Sequence, residues 1–334
     1  MSTINATVPT LLDIAKRLAP DGSLADIVEL LTQENSMVAD IQWAEGNLPT
    51  GDLTTVRTGL PQVAWRLLNG GTLTSKSRTA QITEHCGILE AWSEIDIDLA
   101  MLNGNSAAWR ASEVSPFIEA MSQEAAQTFI YGNSGTAPEE FTGLAARYSA
   151  ISGASNASNV IDGGGTGGDN SSVYLVGWNP QKVGGIFPKG SKAGLQHNDY
   201  GETTIENAGG VTGARMRAYQ ERFQWKMGLR LKDWRYVVRI CNIDISNLIA
   251  SSSNADLNVL MIKAMHRIPN LSACRPAFYM NRTCLEMLDV QDRAAVSTGG
   301  QLSYDVVAGK PVASFRGVPV KICDALLETE ARVT

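Results

Sequence analysis

Residues 112–144 restrict the fold of this chain more than any other stretch. Apolar side chains recur at Val114, Phe117/Ile118, Met121, Ala125 and Thr128/Phe129, in steps of three and four that set them on one face of a helix. Glu113, Glu119, Gln123, Glu124 and Gln127 lie mostly outside that stripe, so the spacing predicts an amphipathic helix. Ser115 and Pro116 form its cap and first turn if it begins there. A start nearer Ser106 puts Pro116 inside, where it kinks the helix. Gly132 after Tyr131 predicts a left-handed stop, and Pro138 prevents the helix from resuming. The residues that follow, Pro138-Glu139-Glu140-Phe141-Thr142-Gly143-Leu144, turn the chain back.

Upstream, residues 8–34 carry two short helical patterns, Leu11/Leu12/Ala15/Leu18 and Leu24/Ile27/Val28/Leu31, broken at Pro20-Asp21-Gly22. Neither is long enough to stand alone in water, so each must dock on something. From Met37 to Thr83 the texture becomes strand-like (37–43, 54–58 and 72–83) and rich in Thr, with turns at Gly46-Asn47 and Asn69-Gly70-Gly71. Between the outer runs lies an apolar segment, residues 60–68, containing Leu60, Val63, Trp65, Leu67 and Leu68. A long hairpin has no core of its own in which to hide such a tip. The tip either folds back on its own domain or marks contact with a partner.

Residues 92–99 alternate with period two, which predicts a strand with Glu94, Asp96 and Asp98 on one face and Ile95, Ile97 and Leu99 on the other. Three carboxylates so spaced could hold a hard cation, but ligands must converge from more than one direction, and a solvated or salt-bridged face is the simpler reading. Gly163, Gly165 and Gly168 satisfy G-x-G-x-x-G literally. A Ser/Asn-rich loop precedes them and strand-like residues 173–176 follow. The dinucleotide fingerprint needs strand before and helix after, so we read a mobile loop and no nucleotide site. Residues 173–250 read mostly as strands, divided by a loop at 184–213. Between Arg215 and Arg239 eight basic residues interleave with Tyr219, Phe223, Trp225, Trp234 and Tyr236. Such interleaving can build a single-strand binding groove. Strand geometry would split these cations between two faces, which favours salt bridges within or between subunits. A helix at 254–268, a strand at 277–280, a helix at 282–290 and a late strand at 312–324 complete the reading, an α+β chain.

Composition narrows the function. The chain has 334 residues, 44% hydrophobic, enough for a real core and more than one lobe. No apolar run approaches the roughly 18 residues that span a bilayer, and the N-terminus lacks the order of a signal peptide. The net charge of −6 opposes a protein that grips DNA by neutralising phosphates. Cys86, Cys241, Cys274, Cys284 and Cys323 are scattered and odd in number, which predicts reduced thiols without a disulfide frame or zinc knuckle. The sequence has no G-x-S-x-G, G-x-x-x-x-G-K-[ST] or H-E-x-x-H motif. His85, His197 and His266 sit in unrelated contexts. We therefore expect no catalytic residue, metal or cofactor; a cytoplasmic oligomeric hydrolase with an unrecognised site is the alternative.

Four anchors in consistent order resemble one known family. They are Phe129-Ile130-Tyr131-Gly132-Asn133 followed by P-x-x-F-x-G-L, the run from Phe223 to Asp244, Phe278-Tyr279-Met280-Asn281-Arg282 between two helices, and residues 312–324. The chain is similar to the major capsid proteins of tailed bacteriophages with the Hong Kong ninety-seven type fold, and most to the epsilon-fifteen-like members. The resemblance implies an N-arm at 1–36, an extended β-hairpin loop at 37–84, a peripheral domain at 85–150 and 305–334, and an axial domain at 151–304. The peripheral domain would hold a long spine helix packed through Phe117, Met121 and Phe129. It further implies intersubunit contact through Leu60, Val63, Trp65, Leu67 and Leu68. The expected assembly is hexamers and pentamers in an icosahedral virion shell that encloses double-stranded DNA without specific binding. Expected partners are further copies of the chain, a separate scaffolding protein, a portal and a decoration or staple protein. No membrane is involved, and assembly is expected in the host cytoplasm.

Overall fold

The computed structural model describes Pro9 and residues 31–101, 106–207, 211–250, 255–294, 302–307 and 310–334. The two helical patterns at 8–34 lie almost wholly outside the described residues. In chain order the elements are α1 (Ser36–Asp40), β1 (Trp43–Glu45), β2 (Gly51–Gly59), β3 (Arg78–His85), β4 (Gly87–Asp96), α2 (Ile97–Met101), α3 (Ser106–Tyr131) and α4 (Leu144–Arg147). There follow β5 (Val160–Asp162), β6 (Asn170–Trp178), β7 (Val183–Phe187), β8 (Gln196–Glu206), β9 (Arg215–Leu231), β10 (Val237–Asp244), α5 (Ile245–Ala250) and α6 (Leu257–Arg267). The chain closes with β11 (Arg275–Met280), α7 (Arg282–Ala294), β12 (Leu302–Val307), β13 (Lys310–Phe315) and β14 (Val318–Ile322).

Among the described residues the strands form three sheets. A seven-stranded sheet runs β12-β13-β14-β11-β6-β10-β5, with β11/β14 and β10/β5 parallel. Its centre, β6 and β10, is buried along its whole length, as expected where both faces are covered. A five-stranded sheet is organised on β9, whose N-terminal part pairs with both β4 and β8 while its C-terminal end pairs with β7. Strands β2 and β3 form a separate two-stranded ribbon. Both larger sheets cross the sequence blocks expected for the two lobes. Strand β9, from 151–304, is bonded to β4 from 85–150, and β14 is bonded to β11.

Helix α3 lies against β4, β9, α1 and α4. It begins at Ser106, so Pro116 is inside it. Pro116 is exposed. At the other end, Gly132 is not in the left-handed region, contrary to expectation. Close approach, not helix termination by φ, requires it. A Cβ there would sit 2.5 Å from the Phe141 carbonyl oxygen and 2.6 Å from that of Thr128. The chain turns and returns, the Gly143 N–H donates to the Gly132 carbonyl at 2.7 Å, and Gly143 in turn packs on the last carbonyls of the helix. The spacing of the Gly-Asn and F-x-G-L pieces is thus the geometry of a tight backbone return.

Several expected strands differ. Residues 37–43 give α1 and only the first residue of β1. Strand β4 stops at Asp96, whose carboxylate accepts from the Asp98 N–H at 3.0 Å and opens α2; Asp98 therefore leaves the face shared by Glu94 and Asp96. Half-exposed edge strand β8 lies within the expected loop 184–213. The late strand is a hairpin, β13–β14, turned at Arg316-Gly317. The glycine-rich run at 163–168 is pinned where a mobile loop was expected: Gly163 and Gly165 donate to the carbonyls of Cys241 and Asn242, each at 2.8 Å, continuing the parallel pairing of β5 with β10. Strand β6 follows it, so no helix N-terminus is available for a phosphate.

Candidate assembly surface

Among the described residues, the ribbon is buried at its base. The register runs from Gly51 opposite His85 to Gly59 opposite Arg78, and burial is confined to Gly51, Asp52 and Glu84. Two buried carboxylates anchor it. Glu84 receives both terminal nitrogens of Arg147, at 2.7 and 2.5 Å, and Asp52 accepts from Arg230 at 3.3 Å. Charge-assisted, forked pairs of this kind fix direction as well as energy. A two-stranded ribbon without a sheet or helix behind it is marginal in water, so these clamps set its angle to the body.

Beyond the strands, residues 60–77 are exposed throughout. Trp65 is fully exposed, and Leu60, Val63, Leu67 and Leu68 are each at least 80% exposed. Leu73 extends the same apolar surface. The tip is therefore not folded back into this subunit, leaving six large apolar groups in water at the end of a projecting arm. Single exposed apolar residues are ordinary; a cluster of this kind is uncommon on a monomer.

On the body, α3 carries its apolar stripe inward. Met121 and Phe129 are buried. Phe129 packs edge-on to Trp43 and Phe141, and half-buried Phe117 stacks on Phe223 of β9 at 5.6 Å. Arg110 of α3 reaches across to Glu221 at 2.6 Å and Asp199 at 2.5 Å and covers the Tyr219 ring. His197 shares Glu221 at 2.8 Å. These contacts fasten the helix to β8 and β9.

Seven of the eight cations between Arg215 and Arg239 form ion pairs within the subunit. Arg215 pairs with Glu206, Arg217 with Glu202, Arg222 with Glu90, Arg230 and Lys232 with Asp52, Arg235 with Asp233, and Arg239 with Glu330. Among the described residues, that pattern matches the expected salt bridges within the subunit. The Arg239–Glu330 pair is deeply buried. Glu330 accepts from Arg239 at 2.8 Å, from the Tyr131 hydroxyl at 2.5 Å and from Ser172, while Arg239 also donates to the carbonyl of Tyr148 at 2.9 Å. Burial and the neighbouring carboxylate push the Tyr131 phenol far up. One carboxylate thereby joins the end of α3, β6, β10 and the C-terminal segment. A second knot, Asp40, accepts from Tyr279 at 2.6 Å and Lys321 at 2.6 Å. Sequence reading missed both, because their members are widely separated along the chain.

Burial pushes the Cys86 and Cys241 thiols up to about 11 and those of Cys284 and Cys323 to about 12, so they are protonated at neutral pH and poor nucleophiles. Among the described residues no cluster of His, Cys, Asp or Glu could hold a metal ion, and no helix is long and apolar enough to cross a membrane.

Comparisons with known proteins bear on the same architecture. The family model described as major capsid protein GP7 matches residues 19–334. The solved structure of bacteriophage Epsilon15 is similar over 100% of both chains, at 30% identity and a TM-score of 0.78. The capsid of a native GTA particle aligns more loosely, at 9% identity and TM-score 0.44, over 71% of this chain and 99% of that one. The SrpI encapsulin of Synechococcus elongatus does so at 10% identity and TM-score 0.42, over 72% and 92%. No curated protein matches. The chain belongs to the GP7 family of major capsid proteins and has the Hong Kong ninety-seven type fold.

Proposed function

We propose that this capsid protein tiles an icosahedral shell as hexamers and pentamers, enclosing double-stranded DNA without binding it specifically, and that it performs no catalysis. The observation that carries the reading is the ribbon tip. Leu60, Val63, Trp65, Leu67 and Leu68 stand in solvent on an arm clamped at its base, a layout that suits docking on the adjacent subunit. Residues 1–36 act as an N-arm and residues 37–84 as the extended loop. The peripheral lobe is built on α3 with β4, and the axial lobe on β6, β10 and β11, with β9 and β14 shared between the blocks. Packing through Phe117, Met121 and Phe129 keeps the spine helix rigid. A separate scaffolding protein, a portal and a decoration or staple protein complete the assembly, which takes place in the host cytoplasm before the subunit resides in the virion.

Size-exclusion chromatography and electron microscopy of the purified protein test this directly. Closed particles, or capsomer rings in the presence of a scaffold, are expected from many weak symmetric contacts. A stable monomer under every assembly condition contradicts the reading.

A further inference from the structure

The glycine run ahead of β6 is the one sequence feature that the coat role leaves unused. Gly164-Gly165-Thr166-Gly167-Gly168-Asp169 follows the G-G-x-G-x-D order of calcium-binding turns. Such turns work in stacked repeats, and this is a single copy, so the order alone assigns nothing. The side chains around the run carry the argument. Asp169 Oδ2 accepts from the N–H and the hydroxyl of Ser246, and Asp244 Oδ1 accepts from the Asn247 N–H at 2.9 Å. Both thereby cap the start of α5. Their other oxygens flank the space beside Gly167, where a Cβ would stand 2.6 Å from Asp169 Oδ1 and 3.2 Å from Asp244 Oδ2. Neither carboxylate has an ion-pair partner among the described residues.

Asn170, next in the chain, is fully buried. Its Nδ2 donates to the Gly167 carbonyl at 2.7 Å and to the Glu330 carbonyl at 3.4 Å. Two acceptors on one side fix the orientation of the amide. Oδ1 therefore faces the glycine run, 2.5 Å from where a Cβ of Gly165 would stand, and the Asp244 Cβ is 3.0 Å from that same point. No donor reaches this oxygen among the described residues. A buried oxygen without a donor marks the place of a water or an ion. The two carboxylates beside it decide for a cation. Gly164, Thr166 and Gly168 are exposed, so the run can be entered from solvent.

We infer that Asp169, Asn170 and Asp244, with the glycine run between β5 and β6, form a binding site for calcium. Carboxylate, amide and main-chain carbonyl oxygens suit its flexible coordination by about six to eight oxygens, whereas magnesium demands a stricter octahedron and keeps its waters. Only two carboxylates take part. The site therefore differs from larger clusters of His, Cys, Asp and Glu, of which the described residues hold none. So few charges put the affinity at the weak end, Kd about 10⁻⁴–10⁻³ M. Bound there, the cation ties the loop after β5 to the start of β6 and the end of β10. The site lies within one subunit and stands apart from the coat reading.

Calcium chloride is the probe, on the full-length subunit. At about 10 mM it should raise the melting temperature by about 2 °C or more over the value in EGTA, with saturable heat in isothermal titration. Gly167→Ala sets a methyl group between the two free carboxylate oxygens and keeps both caps of α5. Asp244→Asn removes one charge and keeps Oδ1 as the acceptor for Asn247. Each variant is compared with itself in EGTA, so a change in its basal stability does not enter, and if Asp244→Asn fails to fold, Gly167→Ala decides. Both should lose the calcium response, while Glu94→Gln, on the carboxylate face of β4, should keep it. No calcium-dependent change in the wild type overturns the inference and leaves the Asn170 oxygen to a water. An equal response in the wild type and Gly167→Ala places calcium elsewhere and overturns it too. An equal shift with magnesium chloride overturns the assignment to calcium.

Discussion

Glu330 carries more of the structure than any neighbour in sequence suggests. Its carboxylate is buried with Arg239 and takes hydrogen bonds from Tyr131 and Ser172. Removing one member of a buried pair leaves the other charge uncompensated, so Glu330→Ala should cost about 3–5 kcal/mol, read by denaturant unfolding of dissociated subunits. A different carboxylate, Asp324, contributes to acid sensitivity. Burial alone would raise Asp324, but Arg282, donating at 2.8 and 3.0 Å, and the Glu34 N–H outweigh it and hold the carboxyl below its usual range. A depressed folded pKa contributes stability that is complete above the unfolded Asp value of about 3.9 and disappears as pH falls through the folded one. Asp324→Asn should therefore flatten the loss of stability with acid in that window, measured as unfolding free energy against pH. Neither knot was legible in the sequence, since Glu330 lies 199 residues from Tyr131 and Glu34 lies 290 from Asp324. Local spacing carries no information about such pairs until the topology is known.

The elements were legible in proportion to their one-sided burial. Helix α3 and helix α6 (Leu257, Leu260, Met261 and Ala264 inward) follow the 3.6 period because each lies on the protein body. Strand β8 escaped notice because it is a half-exposed edge whose residues show no apolar alternation. The run at 92–99 misled for the opposite reason: its alternation continues past Asp96, where a single side-chain cap starts α2. The glycines closing α3 were visible, but their cause was not. A Cβ at Gly132 meets two carbonyl oxygens, so Gly132→Ala should lower subunit stability by about 2 kcal/mol or more through overpacking. Thermal melting of the isolated subunit measures it.

At the scale of the whole molecule, an acidic body with internally paired arginines projects one cationic, apolar arm. The isolated subunit should show no micromolar binding of duplex DNA at physiological salt, in contrast to specific binders at about 10⁻⁸ M or tighter; sub-micromolar binding with a steep salt slope would restore the groove at Arg215–Arg239. The coat-protein character was legible from four ordered anchors. The tip's apolar content was legible too, but its exposure required the structure, because the sequence allows a tip folded back. The most direct measurement is on Trp65→Ala, with melting temperature and particle yield taken from one preparation. A fully exposed Trp contributes almost nothing to the isolated fold, but as an interface anchor it is worth about 2 kcal/mol or more at each contact, repeated around the shell. The account predicts a near-normal melting temperature with poor or fragile particles. A melting temperature lowered as by a buried-Trp truncation, about 3–5 kcal/mol, together with normal particle yield from the folded fraction, would contradict it.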